Sequence, residues 1–191
     1  MRFPRRWRAL LMVGWLAAAG GAAMLYRRQW FADATPLHTL VDIVGAAVVL
    51  LGLALRLWAG AHIRPWKGKR LVQTGPYAWC RHPLYLGSLL ALLGVCTIAQ
   101  NTPFVVASML CCVGAYAVKI RIEERNLAAS FGAEWQAYCA GTPRLLPRFW
   151  QGGNSLDLVV RWRDACAEIP GGIMFAALAL SAELAEVWAL P

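Results

Sequence analysis

The chain has 191 residues, of which 59% are hydrophobic and only 15% are charged, and its formal net charge is +9. An average soluble domain is about 45–50% apolar and about 25% charged, so this composition argues against an ordinary soluble domain. The basic residues stand between apolar runs rather than on one polar face, which argues against nucleic-acid binding and favours anionic lipid headgroups as neighbours.

Five apolar segments predict an all-α integral membrane protein with about five transmembrane helices, because about 17–25 apolar residues cross the hydrocarbon core. In chain order the segments are residues 9–26, 37–59, 84–100, 103–120 and 170–190. The last is the weakest, since Glu183 and Glu186 interrupt it, and it either spans the bilayer or lies along its surface. We expect residues 1–191 to form a single multi-spanning membrane domain.

The basic residues also predict the orientation of the chain in the cell membrane. They gather before the first segment, between the second and the third, and after the fourth, whereas the connection at Asn101-Thr102 is uncharged. The positive-inside rule then predicts a multi-pass protein with a cytoplasmic N-terminus. The first segment lacks a convincing small-x-small cleavage site, so we expect a retained helix rather than a signal peptide.

The sequence lacks the usual marks of a metal site or a nucleotide-binding loop. None of the six cysteines stands in a CxxC pair or in a paired spacing with histidines, and no GxGxxG or P-loop pattern occurs. We therefore expect the cysteines to be small buried hydrophobes, without disulfides and without a bound metal.

A first polar cluster lies at the start of the third apolar segment. Pro83 suits the first turn of a helix, where its missing N–H costs nothing, so His82 should stand near the N-cap and Tyr85 about one turn further on. The N-terminus of the helix offers unpaired N–H groups and a partial positive charge, which Arg81 reinforces. Such a helix end suits an anion such as a carboxylate.

A second polar cluster, Glu123 and Glu124, directly follows the fourth segment. Adjacent carboxylates need cationic partners, and a helical hairpin of segments three and four would supply them. Both clusters are about twenty residues from the Asn101-Thr102 turn, so a rise of about 1.5 Å per residue brings them to one depth. We expect Arg81 and His82 to face the two glutamates across a cytoplasmic cleft, as a binding site or as an ion-pair lock.

Five residues outside these clusters have simpler expected roles. Arg56 should snorkel toward the cytoplasmic face, and Asp42 should meet headgroups or water at the other end of the same segment. His62 is isolated and is not expected to be a ligand. Trp135 and Tyr138 are expected to anchor the chain at the level of the headgroups.

Residues 75–147 resemble the isoprenylcysteine carboxyl methyltransferases and, in part, the phospholipid N-methyltransferases. The resemblance rests on Gly75-Pro76-Tyr77, Arg81-His82-Pro83-x-Tyr85-x-Gly87, Glu123-Glu124-Arg125-x-Leu127, Phe131-Gly132-x-Glu134-Trp135-x-x-Tyr138 and Pro143-Arg144-x-x-Pro147. It implies that S-adenosylmethionine is bound by Tyr77, His82, Tyr85, Gly87, Glu123 and Glu124. It also implies that Arg81 and Glu124 border the centre of methyl transfer.

The resemblance therefore implies an S-adenosylmethionine-dependent methyltransferase that acts on a lipid-like, membrane-embedded acceptor. A carboxylate acceptor needs no base, whereas an amine or a thiol needs one, for which Glu124 or His82 would serve. Three alternatives stay open: a phospholipid or small-thiol methyltransferase on the same scaffold, a nicotinamide-dependent membrane reductase, and a non-catalytic membrane scaffold. The sequence indicates neither an obligate protein partner nor the identity of the acceptor.

Overall fold

The structure is a computed structural model that describes residues 35–148, and within that range the fold is entirely helical. The helices are α1 (Pro36–Ile63), α2 (Pro76–Trp79), α3 (Pro83–Ala99) and α4 (Thr102–Gly141), and a 3-10 turn at Arg64–Trp66 follows α1. The all-α prediction is confirmed for the described range. The predicted segments at residues 9–26 and 170–190 lie outside it.

Two of these helices are long and apolar enough to cross a membrane. The segments Pro36–Trp66 and Phe104–Gly141 reach mean hydropathies of 2.3 and 1.7, and α3 is a shorter apolar helix of 17 residues. Large apolar side chains on both long helices are exposed, as lipid contact would require. The described range thus supports a membrane protein with two candidate spans, and the predicted number of five is not confirmed.

Helix α4 extends well beyond the fourth predicted segment. It runs for 40 residues, and its second half carries the charged cluster. The backbone leaves helical geometry at Gly132, where φ is 49° and ψ is −117°, values that favour glycine. Beyond this kink the chain returns to helical geometry and continues to Gly141.

Helix α3 packs far more extensively on α1 than on α4. The contact is built from two reciprocal glycine pairs, Gly45 with Gly94 and Gly52 with Gly87. A Cβ atom added at Gly52 would lie 2.6 Å from the carbonyl oxygen of Gly87, and one added at Gly87 would lie 2.7 Å from the carbonyl oxygen of Gly52. Small residues permit such close backbone contact between membrane helices.

The turn between α3 and α4 is tight, and its side chains contact the first turn of α4 and helix α1. Gln100 adopts a left-handed conformation with φ of 44°, and the Asn101 side chain caps α4 by accepting a hydrogen bond of 3.0 Å from the amide of Phe104. The buried Gln100 amide also donates to Asp42, which lies 3.1 Å from His38. Asp42 therefore has partners within the protein, while a third of its side chain is exposed, so its contact with headgroups or water stays a prediction.

Candidate active site

The loop before α3 is held between the end of α1 and the segment that follows α4. His62 Nε2 lies 2.9 Å from the Thr74 hydroxyl, and its ring packs against Gly75, whose φ of 61° favours glycine. The amide of Arg81 donates to the carbonyl of Pro143 over 2.9 Å. His62 is therefore a structural partner of this loop, a role that its isolation in the sequence did not predict.

His82 is the N-cap residue of α3, as predicted. Pro83 takes the first helical position, and the amides of Tyr85 and Leu86 each donate to the carbonyl of His82 over 3.1 Å. The His82 side chain does not cap the helix. It is buried and lies against α4 instead, so the helix end orients the imidazole toward the carboxylates.

Three cationic or polar side chains converge on Glu124. Arg81 Nη1 lies 3.0 Å and His82 Nε2 lies 3.3 Å from Oε1 of this carboxylate. Arg144 binds both oxygens, with 3.1 Å between its Nε and Oε1 and 2.6 Å between its Nη2 and Oε2. The predicted meeting of Arg81 and His82 with the second cluster is confirmed. The sequence did not predict the contact between Arg144 and Glu124.

Glu123 faces a different set of partners. The Tyr85 hydroxyl donates to Glu123 Oε2 over 2.6 Å. The centre of the Tyr85 ring lies 5.0 Å from that of Tyr116 and 4.9 Å from the Lys119 ammonium. The adjacent glutamates thus divide the site into a cation-rich half around Glu124 and an aromatic half around Glu123.

The imidazole of His82 is neutral near pH 7. Burial lowers the pKa of His82, and this effect outweighs the hydrogen bond to Glu124 and the nearby carboxylates, which raise it. Because a carboxylate only accepts, the neutral ring donates its Nε2 hydrogen to Glu124, and Nδ1 then carries a lone pair. His82 is accordingly a group that can take a proton from an acceptor.

Arg81 packs against the last turns of α4, where it contacts Cys139 and Trp135. Its Nη1 donates to Cys139 Sγ over 2.8 Å, and its guanidinium stands 5.7 Å from the centre of the Trp135 ring. Within residues 35–148, Arg81 Nε is buried and lacks a hydrogen-bond acceptor. A buried donor of this kind is satisfied when an anion binds beside it.

The predicted anchoring of Trp135 and Tyr138 at the headgroups is wrong. Both side chains are buried, and the Tyr138 hydroxyl donates to the carbonyl of Tyr77 over 2.6 Å. These residues pack on the loop before α3 because the kink at Gly132 redirects the end of α4. An amphipathic pattern alone does not distinguish such a cover from an interfacial anchor.

Two residues predicted to bind the cofactor have packing roles in this structure. Tyr77 is buried, and its hydroxyl donates to the carbonyl of Ala59 over 3.4 Å. Gly87 forms one half of a close contact with Gly52. Their binding roles stay predictions, as do the binding roles of His82, Tyr85 and the two glutamates.

Among the described residues, no group of three or more His, Cys, Asp or Glu side chains is placed to hold a metal ion. The five cysteines in this range are free, and Cys80 and Cys96 are buried. Cys166 lies outside the described residues. The donors that the site offers are therefore guanidinium, imidazole, carboxylate and phenol groups.

Comparisons with known proteins point to one family. The sequence profile of the phospholipid methyltransferase family matches residues 40–134, about half of the chain. The yeast Saccharomyces cerevisiae protein-S-isoprenylcysteine O-methyltransferase is 31% identical over 109 residues, which cover 52% of this chain and 46% of that protein. The matched residues include both polar clusters of the candidate site, whereas Trp135, Tyr138, Cys139 and Arg144 lie beyond them.

Two bacterial relatives carry names of another kind. The cobalt-zinc-cadmium resistance protein CzcN of Cupriavidus metallidurans is 34% identical over 128 residues, 66% of this chain and 58% of that protein. The nickel-cobalt-cadmium resistance protein NccN of Alcaligenes xylosoxydans xylosoxydans is 30% identical over 142 residues, 74% of this chain and 63% of that protein. The chain thus matches less than two thirds of the length of these relatives. No solved structure matches it with comparable significance.

Proposed function

Because the chain belongs to the family of membrane methyltransferases, we propose that it transfers a methyl group from S-adenosylmethionine to a lipid-like acceptor at the cytoplasmic membrane face. One observation carries the proposal. Arg81 and His82, at the N-terminus of α3, meet Glu124 of α4 beside the hydrogen bond between Tyr85 and Glu123. The site therefore offers cationic, anionic and aromatic groups within one cleft.

The groups of this cleft fit S-adenosylmethionine. The cofactor's carboxylate suits the buried Nε–H of Arg81, which lacks an acceptor, and its ammonium and ribose hydroxyls suit the carboxylate of Glu123. The aromatic ring of Tyr85 suits the adenine or the sulfonium. The chemistry that the bound cofactor supplies is a methyl carbon activated by a positively charged sulfur.

The protein's part in the reaction is mainly orientation and electrostatics. Arg81 is placed to hold an anionic group of cofactor or acceptor, and its largely buried guanidinium lies beside the Trp135 ring. Glu124 contacts two guanidinium groups, which makes its carboxylate a weak base. We infer that Glu124 positions Arg81, whereas Nδ1 of His82 accepts the proton of an amine or thiol acceptor.

The lipid part of the acceptor would reach the cleft sideways, from the bilayer. The exposed apolar side chains of α1 and α4 are suited to lipid contact, and they lead toward the helix ends that carry the site. The basic segment at residues 64–70 would face anionic headgroups on the same side, with Arg70 stacked 3.5 Å over the exposed Trp66 ring. This arrangement supports a cytoplasmic N-terminus and a cytoplasmic site.

Calorimetric titration of the purified full-length protein with S-adenosylhomocysteine tests the proposal. We expect binding by the wild type and a loss of at least tenfold in affinity, about 1.4 kcal/mol, in Glu123→Gln/Glu124→Gln. Glu134→Gln is the matched control, because this exposed carboxylate accepts a hydrogen bond from Gln73 rather than from Arg81, His82 or Tyr85. We expect its affinity to equal that of the wild type.

Two results would overturn this assignment. Failure of the folded wild type to bind S-adenosylhomocysteine, together with binding of a nicotinamide dinucleotide phosphate, would favour the reductase hypothesis. Loss of stability in the double variant without any change of affinity would favour a scaffold. Both readings use the same samples, since thermal unfolding is measured beside each titration.

The names of the two bacterial relatives favour a second, physiological proposal. We propose that methyl transfer by this chain contributes to resistance against cobalt, zinc, cadmium or nickel. Growth of a deletion strain on each metal, complemented by wild type or by Glu123→Gln/Glu124→Gln, tests it. Restoration by the wild type alone supports the proposal, and equal restoration by the variant would show that resistance does not use the site.

A further inference from the structure

Arg56 does not reach for the membrane surface as the sequence suggested. It lies in α1, seven residues before the helix ends at Ile63, and its Nη1 donates a hydrogen bond to the hydroxyl of Ser88 on α3. The side chain crosses between the helices where Gly52 and Gly87 bring the two backbones together. The guanidinium is therefore directed into the helix bundle, and the snorkelling expectation is wrong.

Three helices contribute polar groups at this point. Ser88 is completely buried, its hydroxyl donates to the carbonyl of Leu84 over 3.0 Å, and the hydroxyl of Tyr116 on α4 lies close to it. The Ser88 hydroxyl therefore accepts a hydrogen bond from Arg56 while it donates one to Leu84. Arg56, Ser88 and Tyr116 thus form one cluster, which we call the inner cluster.

The inner cluster is continuous with the candidate active site. The Tyr116 ring lies 5.0 Å from the ring of Tyr85, and the Tyr85 hydroxyl donates to Glu123. Tyr116 precedes Glu123 by seven residues, which is about 10 Å along a helix, and Ser88 follows Tyr85 by about 4.5 Å. The inner cluster therefore lies one to two helical turns deeper between the helices than Glu123.

We propose that the inner cluster is a specificity-determining subsite for an anionic group of the acceptor. Ionisable side chains within membrane spans are costly and mark substrate pathways, and arginine binds phosphate and carboxylate with two parallel hydrogen bonds. The reacting atom of the acceptor lies beside Arg81 and His82, and the anion lies deeper, beside Arg56. This inference rests on the methyltransferase function proposed above.

The depth of the subsite selects one class of acceptor. In a phospholipid with an amine headgroup, the amine is outermost and the phosphodiester lies between it and the acyl chains. Methylation of that amine beside Arg81 places the phosphodiester toward Arg56. In an acceptor whose reacting group is a terminal carboxylate on a prenyl chain, no second anion lies deeper. Arg56 thus favours a phospholipid with an amine headgroup as the acceptor over a prenyl chain with a terminal carboxylate.

Methyl transfer to three acceptors, with purified full-length protein in nanodiscs, tests the subsite. The acceptors are a phosphatidylethanolamine, a long-chain alkylamine without phosphate, and a farnesylated cysteine with a free carboxylate. For Arg56→Gln we expect the KM for phosphatidylethanolamine to rise at least about tenfold, because a hydrogen bond to a charged group is lost. We expect the KM for the alkylamine and the affinity for S-adenosylhomocysteine to stay within about twofold.

Tyr116→Phe keeps the ring and removes the hydroxyl, so it tests the subsite even where Arg56→Gln lowers expression. We expect a smaller rise of KM, about threefold to tenfold, for phosphatidylethanolamine alone. Arg121→Gln, which removes an exposed arginine of α4, is the control and should leave every constant unchanged.

The outcomes separate the two proposals. Binding of S-adenosylhomocysteine with methylation of the farnesylated cysteine only, unaffected by Arg56→Gln, would overturn the subsite and leave the methyltransferase function intact. An equal loss for all three acceptors, or a loss of cofactor affinity, would make Arg56 a structural lock and also overturn the subsite. Absence of cofactor binding by the wild type would overturn the methyltransferase function, and the subsite with it.

Discussion

Helix α3 has two contact faces of opposite character, and the contrast separates stability from chemistry. Toward α1 it presents glycines whose backbones nearly touch those of Gly45 and Gly52. Toward α4 it presents His82 and Tyr85, whose polar atoms meet Glu124 and Glu123. The first face holds the helix by close packing, and the second holds charged groups beside a helix end. Changes on the two faces should therefore have different measurable effects.

The largest expected effect is on the glycine face. Gly52→Leu would place a side chain where even a Cβ atom lies 2.4 Å from the amide nitrogen of Ala91, so α1 and α3 must separate. We expect a loss of at least about 3 kcal/mol in unfolding free energy, measured by denaturant titration in detergent. Gly114→Leu is the control, because a Cβ atom at Gly114 meets nothing within 4 Å. Equal stability of the two variants would show that the glycine pairs do not hold the fold.

A smaller and different effect is expected for Glu124→Gln on the polar face. Arg81 and Arg144 lose the negative charge that holds them, so cofactor affinity should fall about tenfold to a hundredfold, and stability by about 1–3 kcal/mol. Titration with S-adenosylhomocysteine and thermal unfolding of one sample measure both. A full loss of stability with unchanged affinity would contradict the separation of the two faces.

Two tyrosines sharpen the comparison further. Tyr85→Phe removes the hydrogen bond to Glu123 and should lower cofactor affinity by about 1 kcal/mol, with little change in stability. Tyr138→Phe removes the bond to the carbonyl of Tyr77 and should instead lower stability by about 1 kcal/mol. If Tyr138→Phe lowered cofactor affinity and Tyr85→Phe lowered stability, Tyr138 rather than Tyr85 would contribute to binding.

The last expected effect concerns pH. Burial holds the pKa of His82 below 6.5 in the folded chain, so the unfolded chain takes up a proton first as the pH falls. Stability contributed by neutral His82 is therefore fully present above about pH 6.5 and is lost below it, by about 1.4 kcal/mol for each pKa unit of depression. Between pH 8 and pH 5, the unfolding free energy of His82→Asn should change less than that of the wild type. An equal pH dependence in the wild type and the variant would show that the pKa of His82 is the same in the folded and the unfolded chain.

The sequence predicted the elements that depend on local chemistry. Pro83 after His82 indicated the start of α3, and equal distances from the Asn101-Thr102 turn predicted that the two polar clusters meet. Hydropathy alone found α1 but placed the end of the fourth segment near residue 120, whereas α4 continues to residue 141. Hydropathy reports where lipid contact ends, and a helix can continue beyond that point.

The remaining errors concern which face of a helix a residue occupies. The glycine pairs, the direction of Arg56 and the burial of Trp135 all depend on a neighbouring helix. A single sequence does not reveal that neighbour, because glycine is equally compatible with lipid and with helix contact, and an arginine stem can extend either way. The binding roles of Tyr77 and Gly87 stay predictions.

The spacing of the glycines has a consequence for the position of the chemistry within the membrane. The two glycines of α1 are seven residues apart, and so are the two of α3, so both pairs fit in a single longitudinal alignment of the antiparallel helices. A slip of α3 by one turn, about 5.4 Å, would replace both pairs by bulkier residues and would carry Arg81 past Glu124. The glycine spacing therefore fixes the depth of the candidate site within the membrane.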